Sequence, residues 1–147
     1  MPACQGPGTP GHWELFAHGS DIGVRGYGAT LAEAFEQAAL GLTAVVCDPA
    51  AVRALQRVEI ACQAPDHELL LADWLNALIY EMATGKLLFA RFEVRLEGCA
   101  LRAEAMGEPV DRARHQPAVE PKGATYTELA VRRTPGGRWL AQCVIDV

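Results

Sequence analysis

The chain has 147 residues, a formal net charge of −5, half of its residues hydrophobic and a mean hydropathy of +0.06. A length of this order is most simply one domain, with roughly two-thirds of the unfolded chain's surface buried on folding. The acidic balance, with a pI near 5.3, excludes a protein that wraps nucleic acid by itself, DNA included, because neutralising phosphates needs a basic surface.

In chain order, residues 1–12 carry Pro2, Pro7, Pro10 and several glycines and lack the basic and apolar regions of a secretory signal. They are expected to form a flexible lead-in to a single domain over 13–147. Trp13 to Ala17 reads as a strand, and the glycines of His18-Gly19-Ser20-Asp21-Ile22-Gly23 turn it into a second, Val24 to Tyr27. Thr30-Leu31-Ala32-Glu33 is a capping box. Leu31, Ala34, Phe35, Ala38 and Leu42 then recur at helical spacing until Cys47-Asp48-Pro49. Arg57 to Cys62 alternates polar and apolar as a half-buried strand does. Asp66 caps a second helix with an apolar stripe of Leu70, Trp74, Ala77, Leu78 and Met82, and Thr84-Gly85 is its expected stop. Asp73, Asn76 and Glu81 interrupt this apolar stretch, which is too short to cross a bilayer.

Phe89 to Leu96 alternates again, and Glu97-Gly98 turns it back into Leu101 to Ala105. Residues 107–117 have no periodicity and are rich in proline and charge, which predicts a loop that is either functional or disordered. Thr125, Thr127, Leu129 and Val131 alternate with polar neighbours as one further strand. Thr134-Pro135-Gly136-Gly137 then makes a hairpin into the last strand, Trp139 to Ile145. This order predicts an α+β fold, a two-layer sandwich of a mostly antiparallel sheet with two main helices packed on one face.

The five cysteines, Cys4, Cys47, Cys62, Cys99 and Cys143, include no C-x-x-C pair and form neither a zinc framework nor a disulfide scaffold. Reduced thiols of a cytoplasmic protein fit that pattern. There is no G-x-S-x-G elbow, P-loop or H-E-x-x-H, so the residues by themselves offer no enzyme. Where Cys143 to Val147 carries a strand pattern to its end, the side chain of Asp146 and the main-chain carboxylate of Val147 stand together. Such a pair invites a counter-charge, and a hard cation held by oxygens is one way to supply it. The same spacing fits a solvated strand end. Asp21, beside glycines, fits an Asx turn as well as a ligand.

Four colinear blocks carry a resemblance. The first runs from His18-Gly19-Ser20-Asp21-Ile22-Gly23 through Tyr27-Gly28, Thr30-Leu31 and Glu33-Ala34-Phe35-Glu36 to Gly41-Leu42. The second is Leu70 with Trp74-Leu75-Asn76 and Leu78-Ile79-Tyr80. The third spans Gly107-Glu108 through His115 and then Lys122 with Thr125-Tyr126, and the fourth is Asp146-Val147. Together they resemble archease, the small accessory protein of the GTP- and manganese-dependent tRNA-splicing RNA ligase. The resemblance implies a divalent-cation site at Asp21, Asp146 and the main-chain oxygens of Val147. Oxygen-only ligands favour Ca²⁺, Mg²⁺ or Mn²⁺ over zinc, and Ca²⁺ is the expected ion.

The resemblance also implies a non-enzymatic activator that supports guanylylation and turnover of a 3′-phosphate RNA ligase, bound transiently, with RNA reached only through the ligase. Lys122, His18, His115 and Glu108 are the expected partner-facing residues. Lys122 is one of two lysines and is open to reading as a solvated loop residue, and His18 as a group that orients the turn. Two departures from the family pattern stand out. Gly19-Ser20 replaces the usual Thr-Ala, and Thr127 stands where the late motif has a histidine. The competing readings are a chaperone-like helper of RNA-modifying enzymes such as tRNA methyltransferases, and a small metal-dependent hydrolase.

Overall fold

A computed structural model describes residues 10–147; most of the expected lead-in, and Cys4, lie outside the described residues. Strands β1 (His12–His18) and β2 (Asp21–Gly28) form a hairpin that Gly19 closes in the left-handed region, at φ 61°. Helix α1 (Leu31–Val46) starts where the sequence predicts. Thr30 accepts from the Glu33 amide at 3.1 Å, while the Glu33 carboxylate accepts from the Ala29 amide at 2.6 Å. A 3₁₀ turn at Pro49–Ala51 leads into β3 (Gln56–Gln63).

Helix α2 (His67–Gly85) is capped by the Asp66 carboxylate on the Leu69 amide at 2.8 Å. It ends one residue later than Thr84-Gly85 suggests, because Lys86, not Gly85, takes the left-handed cap at φ 53°. Strands β4 (Leu87–Glu97) and β5 (Ala100–Pro109) follow, then α3 (Arg112–His115), β6 (Gly123–Ala124), β7 (Ala130–Arg133) and β8 (Trp139–Asp146).

The α+β class and antiparallel pairing are as expected, but the strands divide between two sheets. One runs β1-β2-β8-β6 with β7 also on β8, and the other runs β3-β5-β4. Helix α1 packs against both sheets. Its approach to β2 is so close that a Cβ on Gly26 would overlap main-chain atoms of Ala34 and Ala38. Two side chains of α1 reach β4: Thr43 donates to the Phe89 carbonyl at 2.6 Å, and Glu36 accepts from the Val94 amide at 2.8 Å. Glu36 thereby covers part of an edge strand that would otherwise be open to pairing. Burial pushes its carboxyl above the ordinary value.

One core joins the two layers. Trp74 is fully buried, donates to the Phe35 carbonyl at 3.0 Å and meets Phe92 edge-on at 6.0 Å. Such a site loses about 3–5 kcal/mol on truncation to alanine.

Two sequence expectations change in the late segment. The aperiodic stretch 107–117 is not an open loop: β5 continues to Pro109, and Asp111 caps α3 through the Ala113 and Arg114 amides. The single strand expected over 125–131 does not form: β6 ends before it at Ala124, residues 125–129 turn, with Glu128 in the left-handed region at φ 54°, and only Ala130 and Val131 belong to a strand, β7. The Gln142 side-chain amide holds that turn by donating to the Glu128 carbonyl at 2.9 Å.

Candidate functional site

Strand register decides which side chains share a face. His18 pairs with Asp21 across the first hairpin. Ile22 pairs with Ile145 on β8, so Asp21 stands opposite Asp146 one step further along. Because opposed residues point to the same side of a sheet, His18, Asp21 and Asp146 share one face at one end, with Cβ atoms of neighbours about 5 Å apart. The Val147 amide lies 3.4 Å from Asp21 Oδ1, which brings the end of β8 against the start of β2. Neither aspartate makes an ion pair among the described residues. Two carboxylates on adjacent strands therefore lack a protein counter-charge.

Lys122 belongs to the same end through its main chain. Its amide donates to the Asp146 carbonyl at 2.7 Å, and Gly123 pairs with Asp146. Beyond it, the Asn76 side chain on α2 behaves as a further strand: Oδ1 accepts from the Ala124 amide at 2.8 Å, and Nδ2 donates to the Ala124 carbonyl at 3.2 Å. The segment that carries Lys122 is thus clamped from both sides. The Lys122 side chain itself is exposed.

His18 is half-buried, and its Nε2 lies 3.7 Å from Glu128 Oε2. Sequence reasoning missed both Glu128 and Asn76. Asn76 sits in a quoted motif, but its role depends on a contact 48 residues away. Glu128 reaches His18 only because a non-glycine residue adopts a positive φ there, which no local pattern announces.

Glu108 and His115, expected to face a partner, are instead buried, at 3% and 4% exposure. Glu108 Oε1 accepts from Arg114 at 2.8 Å, and Oε2 accepts from the Arg53 amide at 2.8 Å. The Asp111 amide donates to His115 Nδ1 at 2.8 Å, so that nitrogen carries a lone pair. Nε2 therefore bears the hydrogen and donates to Glu108 at 2.9 Å. The Arg114 hydrogen bond, followed by the Arg53 amide, holds the Glu108 carboxyl at about 2, against the opposing effect of burial. The cluster fixes the path between β5 and α3 from the inside.

The aspartate pair offers oxygen only. Among the described residues no group of three or more His, Cys, Asp or Glu side chains is arranged to hold a metal ion. A cation here would take two carboxylates and complete its shell with main-chain oxygens and water, a donor set that suits a hard ion. The nearest cysteine chemistry is inert. Cys143 is buried on β8 with its thiol pushed up to about 12 by burial, and Cys47, Cys62 and Cys99 are also free. No helix among the described residues is long and apolar enough to cross a membrane.

Comparison with known proteins places this geometry among relatives. The family described as "Archease protein family (MTH1598/TM1083)" matches residues 13–147. Protein archease of Thermococcus gammatolerans is 41% identical over 139 residues, covering 92% of this chain and 98% of that protein. Protein archease of Methanosarcina mazei is 36% identical over 140 residues, covering 92% and 95%. The solution structure of Methanobacterium thermoautotrophicum protein 1598 superimposes with a TM-score of 0.76 at 32% identity, covering 92% of this chain and 98% of that one.

Proposed function

The chain belongs to the archease family, and on that premise we propose that it is a non-enzymatic accessory protein of tRNA processing that activates a GTP- and Mn²⁺-dependent RNA ligase. Asp21, Asp146 and the main-chain oxygens of Val147 hold one divalent cation, with Ca²⁺ the expected ion and Mg²⁺ or Mn²⁺ also suited to oxygen ligands. The observation that carries this reading is the pair of aspartates on neighbouring strands without an ion-pair partner among the described residues. A bound cation would supply the missing counter-charge and a positive tip beside the partner's reacting phosphates.

The chain's own residues set up that tip. The β1–β2 turn and the end of β8 bring the carboxylates together. Asn76 and the Asp146 carbonyl fix the segment bearing Lys122, whose exposed ammonium is free to meet a carboxylate or phosphate of the partner. The chemistry stays on the ligase, which supports one cycle of guanylylation and ligation after another while this protein dissociates and serves further molecules. RNA contacts run through the ligase, as the net charge of −5 requires.

The test has two arms. Calorimetric titration with Ca²⁺ and Mn²⁺ measures the site, and Asp21→Asn or Asp146→Asn lowers affinity at least tenfold, about 1.4 kcal/mol, while the circular dichroism spectrum is kept. Ligated product per ligase molecule is then followed with GTP and Mn²⁺ at ligase excess. Stimulation at substoichiometric amounts, lost in Asp21→Asn, is the expected result. No gain with a matched ligase across several RNAs rejects the activator reading in favour of a chaperone-like helper of RNA-modifying enzymes.

A further inference from the structure

Away from the aspartate pair, a pocket of about 520 Å³ opens between the C-terminal half of α2, the start of β4 and residues 117–121. That volume lies within the range of ligand pockets, about 300–1,000 Å³. Most of its lining residues are apolar, among them Ile79 and Met82 from α2, Leu87 and Leu88 from β4, and Val110 and Val119 beyond β5, while polar and apolar surface share the wall almost equally.

Two cations line it. Lys86 is the left-handed cap of α2, Arg112 opens α3, and neither makes an ion pair among the described residues. Glu120 is the one acidic residue of the lining. In a chain of net charge −5, a pocket lined by apolar side chains and edged by two unpaired cations has a definite complement. That complement is an apolar group with a carboxylate beside it.

The surroundings favour a polypeptide over a small anion. Tyr80, 64% exposed, lies three residues before Ala83 and so on the adjoining flank of α2. A free anion in the pocket would leave this aromatic surface wet, whereas a chain crossing the mouth would bury it. The pocket wall also ends at Pro121, one residue before Lys122, whose amide is bonded to Asp146. A chain seated here would run directly up to the aspartate end of the molecule.

We propose that this pocket seats an apolar side chain of a partner protein's peptide segment, with a neighbouring carboxylate of that segment pairing with Lys86 and Arg112. Only the identification of the partner with the RNA ligase rests on the function proposed above. The peptide binding does not.

The test is an NMR titration of the ¹⁵N-labelled full chain with two blocked pentapeptides, acetyl-Asp-Leu-Phe-Asp-Leu-amide and its lysine-for-aspartate counterpart. The acidic peptide shifts the amides of Lys86, Leu87, Val110 and Val119 in a saturable way. The basic peptide binds at least tenfold more weakly. Ala83→Trp, at an exposed lining position, fills the mouth and abolishes the shifts, and Lys86→Glu with Arg112→Glu inverts the preference for charge. Absence of these shifts at millimolar acidic peptide, equal response to both peptides, or indifference to Ala83→Trp overturns the proposal. Ca²⁺ titration of Ala83→Trp reads the aspartate site separately, so the failure of one reading is not mistaken for failure of the other.

Discussion

Glu108 carries its charge where water hardly reaches, and that has a cost and a pH signature. Its carboxyl is held at about 2, first by Arg114 and then by the Arg53 amide, below the ordinary carboxylate value of about 4.3. A folded-state value below the unfolded one contributes stability that is complete above the unfolded value and is lost as pH falls through the folded value. The midpoint of thermal unfolding is therefore expected to drop between about pH 4.5 and pH 2, and Glu108→Gln should flatten that drop while lowering the midpoint at pH 7 by several degrees. An unchanged profile in the variant would show that other carboxyls set the acid limit. His115 joins the same cluster with Nδ1 accepting from the Asp111 amide and Nε2 turned to Glu108. Beside the aspartate pair, Lys122 offers a cleaner comparison. Lys122→Glu should reduce ligase stimulation more than Lys122→Met, since it adds repulsion as well as removing a cation. Equal stimulation by both variants and the parent would make Lys122 a solvated residue.

At the scale of elements, the two main helices begin where local chemistry says they should. Thr30→Ala removes a cap and should cost about 1 kcal/mol without altering the site, as measured by chemical denaturation. Asn76→Ala has a different signature. It removes both bonds to Ala124, should cost about 1–2 kcal/mol, and should loosen the Lys122 segment, read as faster amide exchange at Lys122 and Ala124. These contrasts explain what was legible in the sequence. Caps, turns and alternating strands involve neighbours within four residues, so Thr30, Asp66 and the β1–β2 hairpin could be read directly. The aspartate pair was legible by another route, through motif blocks at the two ends of the domain. The division into two sheets, the break between β6 and β7, and the inward turn of Glu108 and His115 were not legible. Each depends on partners far along the chain, such as Arg53 for Glu108 and Gln142 for the Glu128 turn. Charge and proline in 107–117 suggested exposure, and Asp111 and Arg112 are exposed, yet Glu108 and His115 turn inward and bond to each other, with Arg114 reaching in to Glu108.

For the whole molecule, the decisive fact is that one core spans both sheets while α1 fastens them through Thr43 and Glu36. Trp74 touches both halves, through the Phe35 carbonyl of α1 and the Phe92 ring of β4. Trp74→Ala should cost about 3–5 kcal/mol, and unfolding followed by far-ultraviolet circular dichroism and by tyrosine fluorescence should remain a single coincident transition. Separate transitions would mean that the sheets unfold independently. The placement of β8 also bears on how the molecule is made. Strand β8 pairs with β2, β6 and β7, joining Ile22 to Ile145. The three-stranded sheet draws only on residues up to Pro109 and has its partners as soon as β5 emerges from the ribosome. The β1–β2 hairpin is synthesised first, yet one of its edges stays bare until almost the whole domain has been translated. During that interval an unpaired β2 is exposed to strangers, and a slow ribosome over the last hundred residues prolongs the exposure. The aspartate end, which needs Asp21 from the earliest strands and Asp146 from the latest, exists only once that wait is over.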